Sequence, residues 1–343
     1  MQNRAVNILY VVDTVEIHGT MSLTNTSYYD TSMEDGAIAL QNHLKEVEIR
    51  RYVKPVSQDA NYQVSSFEDG PLFRIKDGGT LTAAAEEGYS IDLDGHKEAR
   101  SNPVESSIYR TEKGANALAP LIEVEDGGTL NLEGEGVVLH DNKNITGEET
   151  AGFLGLMKKT AEGTEGGAVN NGGTFRFAGA ILSENEARKG AGVYQNGSFT
   201  IAVSQPTGLL GQEIYLTTER IAAGGDGTGE TEETWGDDHV ITSEVWLDET
   251  FVDGSLDLNM DHAVAGRDVI AYNGYTSVDP QHDRYHLGTT VPENLFLVED
   301  PEYDNILELQ DWRVLDVTVP EEIFLAIQGG KNGTTVRDGA SPE

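Results

Sequence analysis

The sequence predicts an all-β fold, a right-handed parallel β-helix of about 22–25 residues per coil with irregular caps and side loops. Three observations predict it. A short turn motif recurs along the chain, each copy is flanked by alternating apolar strands, and glycine is abundant (39) while proline is scarce (10). Many strands joined by tight glycine turns produce that pattern.

The motif appears in four segments: PLFRIKDGGTLTA from Pro71 to Ala83, PLIEVEDGGTLNL from Pro120 to Leu132, GAVNNGGTFRF from Gly167 to Phe177 and GVYQNGSFTI from Gly192 to Ile201. Each reads strand, Asp or Asn with Gly, hydroxyl residue, strand. The hydroxyls at Thr80, Thr129, Thr174 and Ser198 are separated by 49, 45 and 24 positions. The first two spacings are close to twice the third. One period therefore accounts for all three if unmatched coils lie near Val104–Tyr109 and Gly152–Met157. Further strands, VVLHDN ending at Asn142 and AILSEN ending at Asn185, suggest an asparagine ladder in which each amide bonds the next coil.

A single coil cannot bury its own inner face, whereas stacked coils share one interior. Alternation puts Ile75, Val124, Val169 and Val193 in comparable places. Leucine-rich repeats would need a fixed Leu/Asn consensus. A β-sandwich has no reason to repeat its turn chemistry at one period.

The 343 residues carry 59 acidic and 23 basic side chains, a formal charge of −36. That balance argues against nucleic acid and anionic membranes, whose phosphates it repels. It permits cationic partners and calcium. With no cysteine, disulfides, zinc–thiolate sites and thiol nucleophiles are excluded. No apolar run reaches the ~18 residues that span a bilayer. The opening MQNRAVNILYVVDTV lacks a cleavage site and does not read as a signal peptide. Neither a wall anchor nor a terminal membrane segment is recognised.

The stretch GGAVNNGGTFRFAGAILSENEARKGAGVYQNGSFTI resembles the repeats of Gram-positive surface β-helix proteins, which are adhesin-like with a pectate-lyase-like fold. EIYLTTERI (Glu213–Ile221) and AGRDVIAYNGYTSVD (Ala265–Asp279) resemble later, less regular coils, so the likeness spans roughly residues 15–312. The organisation expected is an N-terminal cap and entry strands over 1–50, a helix domain over 51–312 with an acidic insertion near 224–238, and C-terminal strands and tail over 313–343, where LDVTVPEEIFLAIQGG (Leu315–Gly330) resembles the start of a following domain and KNGTTVRDGASPE a polar tail. The entry region EDGAIALQNHLKEV (Glu34–Val47) offers a short helix. The resemblance implies a secreted or cell-wall-attached protein.

Candidate chemistry is sparse. Asp92 and Asp94 in SIDLD are two apart on a strand and so share a side, as a glycosidase pair would. The competing reading is a solvated outer face. The bases Arg74, Arg110 and Arg176 are scattered. Between Glu219 and Asp261 lie 13 acidic residues and one basic one, Arg220. Calcium takes such carboxylates, and Asp226, Glu230, Asp237 and Asp238 are its candidate ligands. The spacing is not that of an EF-hand, and plain solvation competes. His282 and His286 lack a third metal ligand, and His262 beside Asp261 is equally isolated. Tyr28, Tyr29, Trp235 and Trp246 stack on sugars or pack the caps. No nucleophile elbow, P-loop or dinucleotide fingerprint occurs.

The expectation is a non-catalytic, monomeric rod at the cell surface, a structural and adhesive module whose lateral loops meet a host glycan or extracellular protein. It binds no cofactor, calcium excepted. The competing readings are a polysaccharide lyase or glycoside hydrolase of the β-helix type, and an inert spacer.

Overall fold

The computed structural model describes residues 7–26, 45–53, 67, 69–98, 100–101, 111–112, 114–145, 148–150, 158–160, 165–221, 239–248, 254–272, 284–300, 305–311, 325–330 and 333–338. Within them the protein is almost entirely β-structure, with one 3-10 turn at Thr207–Leu209. No helix among these residues is long and apolar enough to cross a membrane.

Three large sheets organise the chain. The first contains Asn7–Val11, Glu46–Arg51, Ser90–Asp94, Val137–His140 and Ile181–Ser183, all parallel. The second runs through Val15–Ile17, Phe73–Ile75, Ile122–Val124, Val169–Asn171, Val193–Gln195, Ile214–Leu216, Leu256–Met260 and Tyr285–Leu287. The third takes Thr20–Asn25, Thr80–Ala85, Thr129–Glu133, Thr174–Ala178, Ser198–Ile201, Val245–Leu247 and Asp268–Tyr272 in parallel order. The antiparallel pair Ile306–Asp311 and Leu295–Glu299 closes that sheet. The chain visits the first, second and third sheets in turn and repeats the circuit. After Ile181–Ser183 the turn at Thr207–Leu209 lies in the place of a first-sheet strand. This order is compatible with a solenoid.

Alternation explains the interior. Leu130 and Leu132 point in with no exposure, as do Phe175 and Phe177 in the next coil. Phe175 stacks on Phe199 with ring centres 4.8 Å apart and planes 11° from parallel. Burying one such ring contributes roughly 1.5–3 kcal/mol. Parallel ladders form because each strand lands beside its counterpart one circuit earlier, so the main chain is satisfied between coils. The turns between second and third sheets need glycine. Gly127 has φ +76°, and a Cβ there would lie 2.1 Å from Asp77 Oδ1 of the preceding coil.

The register corrects the expected period. Thr80 pairs directly with Thr20 and with Thr129, Thr129 with Thr174, and Thr174 with Ser198. No coil stands between Thr80 and Thr129 or between Thr129 and Thr174. The spacings of 49 and 45 are therefore single circuits lengthened at one corner, and only the step of 24 fits 22–25 residues. The segments Val104–Tyr109 and Gly152–Met157 lie outside the described residues. Residues 7–25, expected as cap and entry, supply one strand to each sheet. Of the helix expected over Glu34–Val47, residues 34–44 lie outside the described residues, and Glu46 and Val47 are strand. Part of the expected polar tail is also strand. Gly333–Asp338 pairs antiparallel with Leu325–Gly330.

Candidate functional site

A buried set of ionisable groups stands on the outer side of the first sheet. Strand Glu46–Arg51 alternates, turning Val47, Ile49 and Arg51 inward and Glu48 and Arg50 outward. Strand Ser90–Asp94 does the same, with Ile91 and Leu93 in the core and Asp92 and Asp94 outward. The predicted sharing of one side by Asp92 and Asp94 follows from this alternation. Register places Arg50 beside Asp94, and Asp94 beside His140.

Arg50 Nε donates to Asp94 Oδ2 at 3.0 Å, and the same guanidinium bonds Glu48. The His96 amide donates to Asp94 Oδ1 at 2.8 Å. His140 Nδ1 lies 3.0 Å from Asp141 Oδ2. Asp94 has no exposed surface, which corrects the solvated-face reading for that residue; Glu48 and Arg50 are also buried. Burial first, then the hydrogen bond with Asp94, raises the Glu48 carboxyl to about 7 against the opposing pull of Arg50. Burial alone would lower Arg50, but Glu48 and Asp94 outweigh it and its pKa is raised.

Glycosidic acid–base chemistry needs two carboxyls open to the sugar. Here Arg50 holds both Glu48 and Asp94, and they are shut from solvent. One ligand atom each of Asp94, His140 and Asp141 lies within 4.8 Å of the others. The Asp94 oxygens are already bonded to Arg50 and the His96 amide.

A second acidic group stands at the far end of the third sheet. Carboxylate oxygens of Asp268, Asp300 and Glu308 lie within 4.8 Å of one another. Burial first and Asp300 second raise Asp268, and burial, Asp300 and Asp268 raise Glu308. Burial and then Asp268 raise Glu244. Oxygen-only donors are the set calcium takes.

Two shallow depressions, of 590 and 480 Å³, meet at Gly197 and Ser198. The first is lined by turn glycines with Asp126, Thr174 and Asn196, the second by Thr200, Ser243, Glu244 and Trp246. The Trp246 indole donates to Asp248 Oδ1 at 2.9 Å, which fixes the ring on the sheet's outer side.

Asp226, Glu230, Asp237, Asp238, His282, Arg110, Tyr28, Tyr29 and Trp235 lie outside the described residues. His286 Nδ1 sits 2.8 Å from Asp257 Oδ1 at an exposed position. Arg74 bonds Glu123 at 2.7 Å, and Arg176 stands between Asn131 and Thr200 on the third sheet. Sequence reasoning passed over Glu48, Arg50, His140 and Asp141. For Glu48 and Arg50 part of the signal was present, because KEVEIRRYV (Lys45–Val53) alternates like SIDLD; the pairing of the two strands was not. No known protein family matches the sequence, and no curated protein or solved structure matches it either.

Proposed function

We propose that the three-sheet circuit is a closed right-handed parallel β-helix, like those of Gram-positive surface proteins, and that it acts outside the cell as a non-catalytic structural and adhesive module. One observation carries this reading. Three successive coils join the first sheet to the second through long links at the same corner, residues 52–72, 95–121 and 141–168. The second excursion holds the antiparallel pair Arg100–Ser101 with Thr111–Glu112, and the third holds Glu148–Thr150 with Lys158–Thr160. The next coil turns the same corner briefly, between Ser183 and Val193. Long links at one corner can vary without disturbing the core. The charge of −36 turns away anionic partners and leaves neutral glycans or basic protein surfaces.

The test is a screen of the full chain against arrayed glycans and host extracellular proteins, repeated with each excursion shortened. Binding that disappears when an excursion is trimmed supports the reading. Release of unsaturated or reducing ends from a polysaccharide overturns it in favour of an enzyme. A blank in every screen favours the inert spacer.

A further inference from the structure

Polar side chains turned inward at the corner between the first and second sheets form a column: His96, Asn142, Asn185 and Gln212, all buried. The main chain and neighbouring members hold them. Asn142 Nδ2 donates to the Ala119 and Gly167 carbonyls at 2.8 and 2.7 Å, and His96 Nδ1 lies 3.1 Å from the Arg51 carbonyl. The Arg51 side chain stands at the head of this column, in which Asn142 Oδ1 also makes no hydrogen bond among the described residues. Arg51 is fully buried, on the same inner side as Ile49, yet among the described residues Nε, Nη1 and Nη2 all lack a hydrogen-bond partner.

A guanidinium carries five N–H donors. The Phe67 ring covers one face, its centre 4.7 Å from Cζ, and leaves the N–H edge without an acceptor. Asp94, the nearer candidate by sequence register, gives its oxygens to Arg50 and the His96 amide. Asp69 stands exposed to solvent. Burial lowers the group to about 10 against the pull of Asp69 and Asp94, so it keeps its proton at neutral pH. A charge enclosed without an acceptor is costly. Water would satisfy the N–H groups but bring no charge of its own into the enclosure. A divalent anion would be repelled by the two nearby aspartates, and a bulky oxyanion has no exposed surface by which to enter.

We propose that Arg51 anchors an internal site for a small monovalent anion, chloride in ordinary surroundings, on the guanidinium edge left open by Phe67. The ion completes the corner column at its first-coil end and neutralises the one inward-facing cation of that strand.

The experiment is crystallisation of the full chain with bromide replacing chloride, with anomalous differences recorded at the bromine absorption edge. The expected result is a bromide peak within hydrogen-bonding distance of at least two Arg51 nitrogens. Water alone at that place, or the Asp69 carboxylate folded onto the guanidinium, overturns the proposal. In solution, the thermal midpoint rises as chloride replaces gluconate at constant ionic strength, and Arg51→Met abolishes the rise. Equal responses in the two chains overturn it as well. If the variant does not fold, the bromide map of the unaltered chain decides.

Discussion

The backbone amide of Asn142 donates to the side-chain oxygen of Asn185, one coil on, at 3.2 Å, and Asn185 Nδ2 returns a 2.9 Å bond to the Leu139 carbonyl. The two coils are stapled through a buried amide. Asn185→Leu keeps the volume and leaves a buried N–H and a buried carbonyl without this partner. Each such loss costs about 1–3 kcal/mol. Urea unfolding is expected to show a drop of that size, and an unchanged midpoint would remove the ladder from the account.

Glu48 sets a pH dependence. Its carboxyl is raised from 4.5 to about 7 in the folded chain, so the folded state holds a proton that the unfolded state has released. The stabilisation is complete below about 4.5 and is lost as pH rises through about 7. Glu48→Gln keeps a neutral group in place and flattens stability over that window. Parallel slopes for the two chains in denaturation at several pH values would exclude Glu48 as the source.

The acidic trio of Asp268, Asp300 and Glu308 is mutually repulsive at neutral pH, because burial and neighbouring carboxylates raise Asp268 and Glu308. Asp300→Asn is therefore expected to raise the thermal midpoint at neutral pH. The gain fades in acid as the carboxyls protonate. A lowered midpoint in metal-free buffer would show that Asp300 makes a needed contact.

Adjacent glycines at one turn separate two kinds of cost. Gly78 has φ +73° and open space around a Cβ, so Gly78→Ala carries only the left-handed penalty of roughly 1–2 kcal/mol. At Gly79 a Cβ would sit 2.1 Å from the Ile17 carbonyl oxygen of the neighbouring coil. Gly79→Ala should be the more damaging of the two, measured by equilibrium unfolding. The reverse order would mean that the coils are not packed at this distance.

Much of the architecture was legible because local rules carry it. The Asp/Asn-Gly-Thr turns and the flanking alternation mark where each coil crosses from the second to the third sheet. Thr80, Thr129, Thr174 and Ser198 do align, and Asn142 and Asn185 do bond. The period was misread because arithmetic on spacings treats 49 as twice 24, whereas a corner excursion lengthens a circuit without adding a coil. The Glu48–Arg50–Asp94 cluster was half legible. Asp92 and Asp94 were marked by alternation, but Arg50 reaches Asp94 only through a register between strands 44 positions apart. The burial of Asp94 on an outward side also has no local signature. The deepest departure is Arg51. A charged residue at an inward position contradicts the strand's own pattern, and such conflicts mark functional or strained places.

The direct pairing of Thr80 with Thr129 is the point on which the stacked arrangement rests. The chain has no native cysteine, so paired cysteines can report it cleanly. Neighbouring strands lie about 4.8 Å apart, and an intervening coil would separate the two sites by about 9.6 Å. A disulfide needs Cα atoms roughly 4.4–6.8 Å apart. Mild oxidation of Thr80→Cys/Thr129→Cys is expected to close the bridge in the folded protein, as should the control Thr174→Cys/Ser198→Cys. A control that closes while the Thr80/Thr129 pair stays reduced would contradict the register and the single-circuit reading of the 49-residue step.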